Sequence, residues 1–561
     1  MVTTGSPAHE ELVFVALGGI GEIGMNVYLY GLGTANARQW LMVDCGITFP
    51  TAAEPGVDIV YPDLRFIEEE RQTLAGVLLT HAHEDHFGAL AQMWPRLRVP
   101  VYGTKFSLAL FKGKLQEHSH RDEVPMVEVA QGSRFSIGPF DIELATVAHS
   151  IPECNAVYIR TPVGAVLHSG DWKIDGEQGV VGATDIAKLK AFGDEGVHVL
   201  ICDSTNALVE GLSASEADVA KTLKSLVRDA KGRVAVTTFA SNLARLIAVA
   251  EAAQSAQREL VLVGRAMHRI AEAGRETGLW PSHLSYMDQE YFTTVPAEHV
   301  LALVTGSQGE ERAALARVAQ GDHPFVKLGR GDTVIFSART IPGNEESVIR
   351  IQNKLADQGV RVITEDPGGP IHASGHPRRG ELAELYRWTR PKYLIPMHGE
   401  PRHLEEHASF AQSQGVLPVR GIRNGKMVRL LPGAPEVIDS APVGRIYRDG
   451  SLLLSPDDDS IRERRKLSWV GMVVVSVVLR NGEVADEPQV AAEGIPLEDE
   501  NGLDLTERVL NAVHGAIDSI PRPRRKDSRL VSDAVERSVR AEMKAAWGKK
   551  PLCTALVSVI R

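Results

Sequence analysis

His81-Ala-His83-Glu-Asp85-His86 places four metal-ligating side chains within six residues. Imidazole and carboxylate groups are the ligands that borderline divalent cations such as zinc prefer. The run follows the apolar stretch LAGVLLT, which predicts a strand that opens into a turn at His81. In an extended turn, His81 and His83 point to one side, and Asp85 and His86 then face a second ion nearby. Without cations, so many polar groups clustered behind an apolar strand would be costly to fold. A two-ion centre also needs a bridging carboxylate and further ligands from distant loops. His149 after IELATVA, Asp171 after LHSG and His398 in IPMHGE can supply them. Taken singly, each of these could equally be a hydrogen-bonded core or surface group.

The elements that must position these residues are strand-like. ELVFVALGG, NVYLYG, QWLMVDCG, LAGVLLTHAH and GAVLHSGDW are short apolar runs that end in polar or small residues, and Asp44, His81 and Asp171 fall at those ends. Chemistry in α/β layers sits at strand ends. From about residue 207 the texture changes. SASEADVAKTLKSLVRDAKG reads as a capped helix, and RVAVTTFA, NLARLIAVAEAAQSA and ELVLVG alternate strand, helix, strand. That pattern predicts a parallel α/β unit continuing through LALVTGSQ and DTVIFSA to roughly residue 360. RVITED, YLIPMHGE and GKMVRLLPG then return to short strand pieces. The expected division is 1–206 and 361–440 as two parts of one domain, 207–360 inserted between them, a linker over 441–465, and a C-terminal α/β domain over 466–561. In that last domain Trp469 to Leu479 reads as a buried strand.

Composition is that of a folded globular chain of 561 residues, 43% hydrophobic and 24% charged, too long for one domain. The net charge of −11 argues weakly against nucleic acid as a partner. A basic channel or bound cations can nevertheless sit inside an acidic protein. Cys45, Cys154, Cys202 and Cys553 form no CxxC pair and read as buried thiols of a reducing compartment. With no signal-peptide pattern and no apolar run long enough to span a bilayer, the expected location is the cytoplasm and no membrane partner is expected.

Taken together, HAHEDH, His149, Asp171 and His398 resemble the ligand order of metallo-β-lactamase-fold hydrolases. Asp44 in LMVDCG matches that superfamily's earlier, supporting aspartate. CDSTNA (202–207), TTFASN (237–242), IPGNE (341–345), HASGH (372–376) and PKYLIPMHGE (391–400) narrow the resemblance to the β-CASP branch, and within it to the bacterial ribonuclease J family. The resemblance implies an αββα sandwich with an inserted β-CASP domain and a small C-terminal α/β domain. It implies two Zn²⁺ per subunit, with Mn²⁺ or Mg²⁺ able to serve in activity. His81, His83 and His149 would hold one ion and Asp85, His86 and His398 the other, with Asp171 between them. Asp85 would also orient the attacking water. His376, positioned by Asp203, would protonate the leaving 3′-oxygen.

By the same resemblance, His372, Ala373, Ser374, Gly375 and His376 would form a loop around substrate phosphate. Phe239, Ala240, Ser241 and Asn242, with Gly264 and Arg265, would contribute to substrate binding. GRAMHR (264–269) and FSART (336–340) are candidates for a 5′-monophosphate pocket; at Ala266 this chain departs from the serine of the family pattern. The implied activity is 5′→3′ exonuclease and endonuclease hydrolysis of single-stranded RNA, preferably 5′-monophosphorylated, leaving 5′-phosphate and 3′-hydroxyl ends in RNA maturation and decay. A homodimer or homotetramer, and membership of an RNA-degradation complex, are also implied.

Plainer readings stand beside these. Asp203 could cap a helix, SGHP could be only a turn, and Arg265 could be a solvated arginine. Ser241 or Asn242 could be an ordinary N-cap. RERRK (462–466) and PRPRRK (521–526) read first as solvated charge and second as RNA contacts. The competing functions are a β-CASP DNA nuclease and a metal-free scaffold of an RNA-processing complex. A small-molecule hydrolase of the same fold has no use for the inserted domain. A scaffold should have lost ligands, whereas all seven matching positions carry ligating side chains.

Overall fold

The computed structural model describes residues 10–176 and 179–560. They divide into two compact units. The first runs to Thr48 and resumes over Tyr61–Gly444; the second is Phe49–Val60 together with the chain from Arg445 onward.

Two β-sheets form the centre of the first unit. One has eight strands, ordered Glu436–Ser440, Lys426–Leu431, Glu11–Gly18, Val27–Thr34, Ala37–Val43, Leu74–Leu78, Val101–Gly103 and Met126–Glu128. The other has seven, ordered Leu417–Pro418, Tyr393–Met397, Val199–Asp203, Gly164–His168, Asn155–Thr161, Phe140–Thr146 and Arg134–Ile137. Their facing side chains make one core, in which Phe14, Tyr28, Tyr30 and Val43 of the first sheet pack with Ile142, Val157, Ile201 and Ile395 of the second. Alternation puts every second residue of each strand into this layer. Strands buried on both faces, such as Leu12–Leu17, read as continuous apolar runs. Helices cover the outside; Leu90–Leu97, for example, buries Leu90, Ala91, Met93, Trp94 and Leu97.

A third sheet of six parallel strands follows in the same unit, ordered Met287–Asp288, Glu259–Val263, Val300–Val304, Val234–Thr237, Thr333–Phe336 and Arg361–Ile363. It has its own core, built on Val261, Ala302, Leu315, Val334 and Leu355. This is the αββα sandwich with an inserted parallel α/β layer that the resemblance implied. One strand departs from expectation. Arg361–Ile363 pairs in parallel with Thr333–Phe336, so this sheet extends past residue 360. Three residues of strand are too few to carry a periodic signal.

In the second unit, a four-stranded sheet centres on Met472–Arg480 and packs against helices Leu505–Asp518 and Ser528–Trp547. Two sequence expectations need correction here. Trp469 does not begin the strand: helix Asp459–Val470 ends at Gly471, and only then does Met472–Arg480 start. The valine run hid the boundary, because a short apolar stretch has no period of its own. The stretch 441–465, expected as a linker, carries the hairpin strands Arg445–Asp449 and Leu452–Leu454, then the first half of that helix. Its Asp-rich segment is a cap: the Asp458 side chain accepts from Ser460 N at 2.9 Å.

Candidate active site

The candidate ligands lie where strands of the two central sheets run out into loops. His81, His83, Asp85 and His86 follow Leu74–Leu78, and Asp171 follows Gly164–His168. His149 follows Phe140–Thr146, Asp203 ends Val199–Asp203, and His398 follows Tyr393–Met397. Three of those strands, Gly164–His168, Val199–Asp203 and Tyr393–Met397, are mutually parallel, so their C-terminal ends open on one edge. Asp44 and His398 both hold the left-handed conformation, with φ of 63° and 50°. Non-glycine residues there are strained and cluster at functional sites. Gly46 is required by close approach: a Cβ on it would sit 1.7 Å from the Asp85 carbonyl oxygen.

The side chains gather into two sets. Ligand atoms of His81, His83, His149 and Asp171 all lie within 4.8 Å of one another, and so do those of Asp85, His86, Asp171 and His398. Asp171 belongs to both. His83 Nδ1 is 3.1 Å from His81 Nε2 and 3.0 Å from His149 Nε2. Asp171 Oδ2 is 3.2 Å from His86 Nε2, and His398 Nε2 is 3.1 Å from Asp85 Oδ2. In a third set, the ligand atoms of Asp171, Asp203, His376 and His398 also lie within 4.8 Å of one another.

Hydrogen bonds behind the rings decide which nitrogen faces inward. Thr80 Oγ1 donates to Asp44 Oδ2 at 2.7 Å, so it accepts from His81 Nδ1 at 3.0 Å, and the His81 Nε2 lone pair points into the site. His86 Nδ1 donates to Asp44 Oδ2 at 2.7 Å and His149 Nδ1 to the Gly375 carbonyl at 2.6 Å. Thr205 Oγ1 donates to the His398 carbonyl at 3.1 Å and accepts from His398 Nδ1 at 2.7 Å. Such outer partners fix tautomer and ring orientation around a metal. Thr80, Thr205 and the Gly375 carbonyl carry no sequence signal for this role. Asn26 was missed as well; its Nδ2 donates to the Asp85 carbonyl at 3.1 Å and lies 3.0 Å from His86 Nε2.

The electrostatics suit cations. Burial pushes His81 and His149 well below the usual imidazole range and His83 down to about 4, keeping them neutral ligands. His86 and His398 go the other way. Burial opposes their charge, but Asp171, Asp85 and Asp44 around His86, and Asp171, Asp203 and Asp85 around His398, outweigh it and push His398 up to about 10. Protons there stand in for the positive charge that this ring of carboxylates requires. Burial also raises the carboxyl of Asp44, against the pull of His86. Asp171 Oδ1 is buried without a hydrogen-bond partner. An orphaned carboxylate oxygen shared by two ligand sets fits a metal-binding role.

Beside these sets, His376 Nδ1 meets Asp203 Oδ2 at 2.7 Å. Thr205 N donates to Asp203 Oδ1 at 2.8 Å, and Ser169 Oγ lies 3.1 Å from Asp203 N. Burial works against charge on His376, but Asp203 and Asp171 raise it above the usual range. The loop from His372 to His376 is pinned along its length. Asn206 Nδ2 donates to Ser374 Oγ at 2.7 Å and to the His376 carbonyl at 3.1 Å. At its root, Ser337 Oγ donates to the Ile371 carbonyl at 2.6 Å. Arg245, fully buried, donates to that same carbonyl at 3.3 Å and is clamped by Glu216. Ala373 and Gly375 are buried, while His372, Ser374 and His376 are half-buried. Burial, then Arg245, Arg339 and Lys173, push His372 down to about 3.

The remaining candidates lie on the inserted sheet. Phe239, Ala240 and Ser241 are half-buried in the loop after Val234–Thr237. Asn242 spends its side chain locally: Oδ1 accepts from Arg245 N at 2.9 Å, and Nδ2 donates to Glu216 at 3.2 Å. Gly264 is the N-cap of helix Arg265–Thr277 and has φ of 111°; Arg265 is exposed in its first turn. The basic runs separate: RERRK lies inside helix Asp459–Val470, and PRPRRK includes the 3₁₀ turn Arg522–Lys526.

Comparison with known proteins agrees with this geometry. Residues 231–355 match the family model "Ribonuclease J, beta-CASP domain", and 459–560 match "Ribonuclease J C-terminal domain". Residues 21–247 match "Metallo-beta-lactamase superfamily", and 370–419 match "Zn-dependent metallo-hydrolase RNA specificity domain". The chain is 47% identical to "Ribonuclease J" of Sinorhizobium meliloti over 552 residues, covering 98% of both proteins. The chain belongs to the ribonuclease J family. A "Ribonuclease J" of Thermus thermophilus is 32% identical over 99% of this chain and 96% of its own length. A crystal structure of a protein of unknown function from Enterococcus faecalis V583 shares the fold, with a TM-score of 0.52 at 16% identity over 75% of this chain and 100% of that one. As a ribonuclease J family member the chain is a metal-dependent ribonuclease, a hydrolase of the metallo-β-lactamase fold with β-CASP and C-terminal domains. No helix among the described residues is long and apolar enough to cross a membrane.

Proposed function

We propose that the chain hydrolyses single-stranded RNA at a two-zinc centre, both 5′→3′ from a monophosphorylated end and internally. The observation that carries this reading is the sharing of Asp171 between two ligand sets, with the His376–Asp203 pair beside them. His81, His83 and His149 would hold one ion and Asp85, His86 and His398 the other, and Asp171 belongs to both ligand sets. Bound zinc ions supply charge neutralisation on phosphoryl oxygens and bring the pKa of water towards neutrality.

The chain's own residues do the rest. Asp85 accepts a hydrogen bond from the attacking water and aims it. The pinned loop from His372 to His376 holds the scissile phosphate. His376, with Nδ1 tied to Asp203, donates a proton from Nε2 to the leaving 3′-oxygen as the P–O3′ bond breaks. The new P–O bond leaves the 5′-phosphate on the downstream product and the 3′-hydroxyl upstream. Phe239 to Asn242 with Gly264 and Arg265 sit at the C-terminal ends of the inserted strands, where helix and loop N–H groups suit the terminal phosphate.

Further parts of the reading rest on family membership: a first domain in two parts, 1–206 and up to about 440, around an insert that runs from 207 through Ile363, a C-terminal part from Arg445 onward, a homodimer or homotetramer, work within an RNA-degradation complex, and a cytoplasmic site of RNA maturation and decay. Zinc is the expected metal, with Mn²⁺ or Mg²⁺ active in its place. The test uses one RNA sequence carrying a 5′-monophosphate, 5′-triphosphate or 5′-hydroxyl, beside matched DNA and a His81→Ala control. Nucleoside 5′-monophosphates released mainly from the monophosphorylated RNA, and lost in the control, are expected. Equal cutting of DNA would overturn the RNA preference.

A further inference from the structure

The substrate candidates Phe239 to Asn242, Gly264 and Arg265 sit at the C-terminal ends of the inserted parallel strands. At the opposite edge, Val234–Thr237, Val300–Val304 and Thr333–Phe336 begin around an open recess of about 520 Å³. Strands of this length separate the two edges by about 13 Å, so the recess is not part of the site described above. Lys231, Arg233, Lys327 and Arg330 line it, and Asp332 is its one lining carboxylate.

That carboxylate is already committed. Asp332 Oδ1 accepts from Arg233 N at 2.8 Å and Oδ2 from Gly329 N at 3.0 Å, which joins the loop of Lys231 and Arg233 to the loop of Lys327 and Arg330. Among the described residues none of the four cations makes an ion pair with a carboxylate. Arg233 Nε is buried without a partner, and its guanidinium lies 5.9 Å from the centre of the Phe292 ring. Behind the recess, buried Arg258 donates to the Gly232 carbonyl at 2.8 Å and also to the Ala230 carbonyl, which fixes the loop that carries Lys231 and Arg233. Four like charges held on two braced loops repel one another and attract an anion. Elsewhere on this acidic chain, surface arginines such as Arg134, Arg387 and Arg420 each have an acidic partner.

We propose that this recess is an accessory site for a chain of phosphates, taken from the backbone of an RNA strand or from the tail of a free nucleotide. Its lining has no aromatic face on which a base could stack. Recognition is therefore of phosphate and indifferent to base. The proposal does not depend on the catalytic reading, because its readout is local binding.

The test is amide hydrogen exchange over residues 229–233 and 326–332 of the full-length, metal-loaded protein. One arm adds a long 5′-hydroxyl RNA and the other adds adenosine 5′-diphosphate. Protection of both segments by the RNA alone assigns the strand; protection by the diphosphate alone assigns the nucleotide. In the protecting arm, Lys327→Ala/Arg330→Ala should weaken binding about tenfold and cut the slope of log affinity against log salt by about 1.4. A control pair on an exposed helix, Lys221→Ala/Lys224→Ala, should leave both unchanged. Protection in neither arm, equal protection in the Lys327/Arg330 variant, or an equal loss in the control pair would overturn the proposal.

Discussion

His376 Nδ1 and Asp203 Oδ2 meet at 2.7 Å although 173 residues separate them. The bond directs the other ring nitrogen outward and favours the charged imidazole. His376→Ala should therefore lower kcat by about 10² to 10⁴ while leaving bound metal unchanged. Asp203→Asn should cost a comparable factor, because an amide no longer favours imidazolium. Metal analysis beside single-turnover rates checks this. Loss of metal in His376→Ala would instead make His376 a ligand.

A single methyl group should distinguish the first ligand set from the second. A Cβ on Gly375 would lie 2.6 Å from both Nδ1 and Cε1 of His149. The ring can only move away, and the bond from its Nδ1 to the Gly375 carbonyl goes with it. Gly375→Ala should cost about 10- to 100-fold in affinity for one metal equivalent. The equivalent held by Asp85, His86 and His398 should stay. Titration of the apo-protein with zinc, read by the number of tight equivalents, decides it.

The legible part of the site is the local part. HAHEDH announces itself because six adjacent residues carry four ligands. The family motifs supply His149, Asp171 and His398, and the structure brings all seven side chains together. What holds them is not legible. Thr80, Thr205 and Asn26 act through a few hydrogen bonds each, and a threonine after a strand looks the same whether or not it orients an imidazole. Arg245 reads as one more helical arginine, yet it is fully buried and braces the carbonyl at the root of the phosphate loop. The same holds for the fold. Long periodic elements such as Glu216–Asp229 are plain in the sequence, whereas Arg361–Ile363 and the placement of Phe49–Val60 depend on pairing with distant chain.

Stability should fall on mild acidification, well before the carboxylates titrate. His407 is buried between Tyr386 and Ser204, and burial holds it at about 4; His168 is held by burial at about 3. Both are below the unfolded value of about 6.5. Between the folded and unfolded values the unfolded chain binds more protons, so stability rises with pH and is lost as pH drops below the unfolded value. Each such histidine contributes up to about 1.4 kcal/mol per pH unit in that window. His407→Phe should lower stability at neutral pH, by leaving the Tyr386 hydroxyl unpaired and the Ser204 hydroxyl with only its long bond to the Cys202 carbonyl, but flatten the slope below pH 6.5. Denaturant midpoints across that range measure both, and an unchanged slope would assign the acid sensitivity to other groups.

Metal loading should release protons, and the source is predictable. In the ion-free site the carboxylates around His86 and His398 hold those rings protonated, His398 up to about 10. His81, His83 and His149 are neutral already, since burial depresses all three. A metal must meet neutral imidazole. The Asp85–His86–His398 set should therefore bind with proton release at pH 7, and its apparent affinity should climb about tenfold per proton for each pH unit. The His81–His83–His149 set should show little such dependence. Calorimetry in buffers of different ionisation heat counts the protons directly. In His398→Gln the count should fall, whereas His149→Gln should remove a binding event without changing the protons released by the other. Equal release from both sets would mean that the two sites share one charge balance through Asp171 rather than titrating apart.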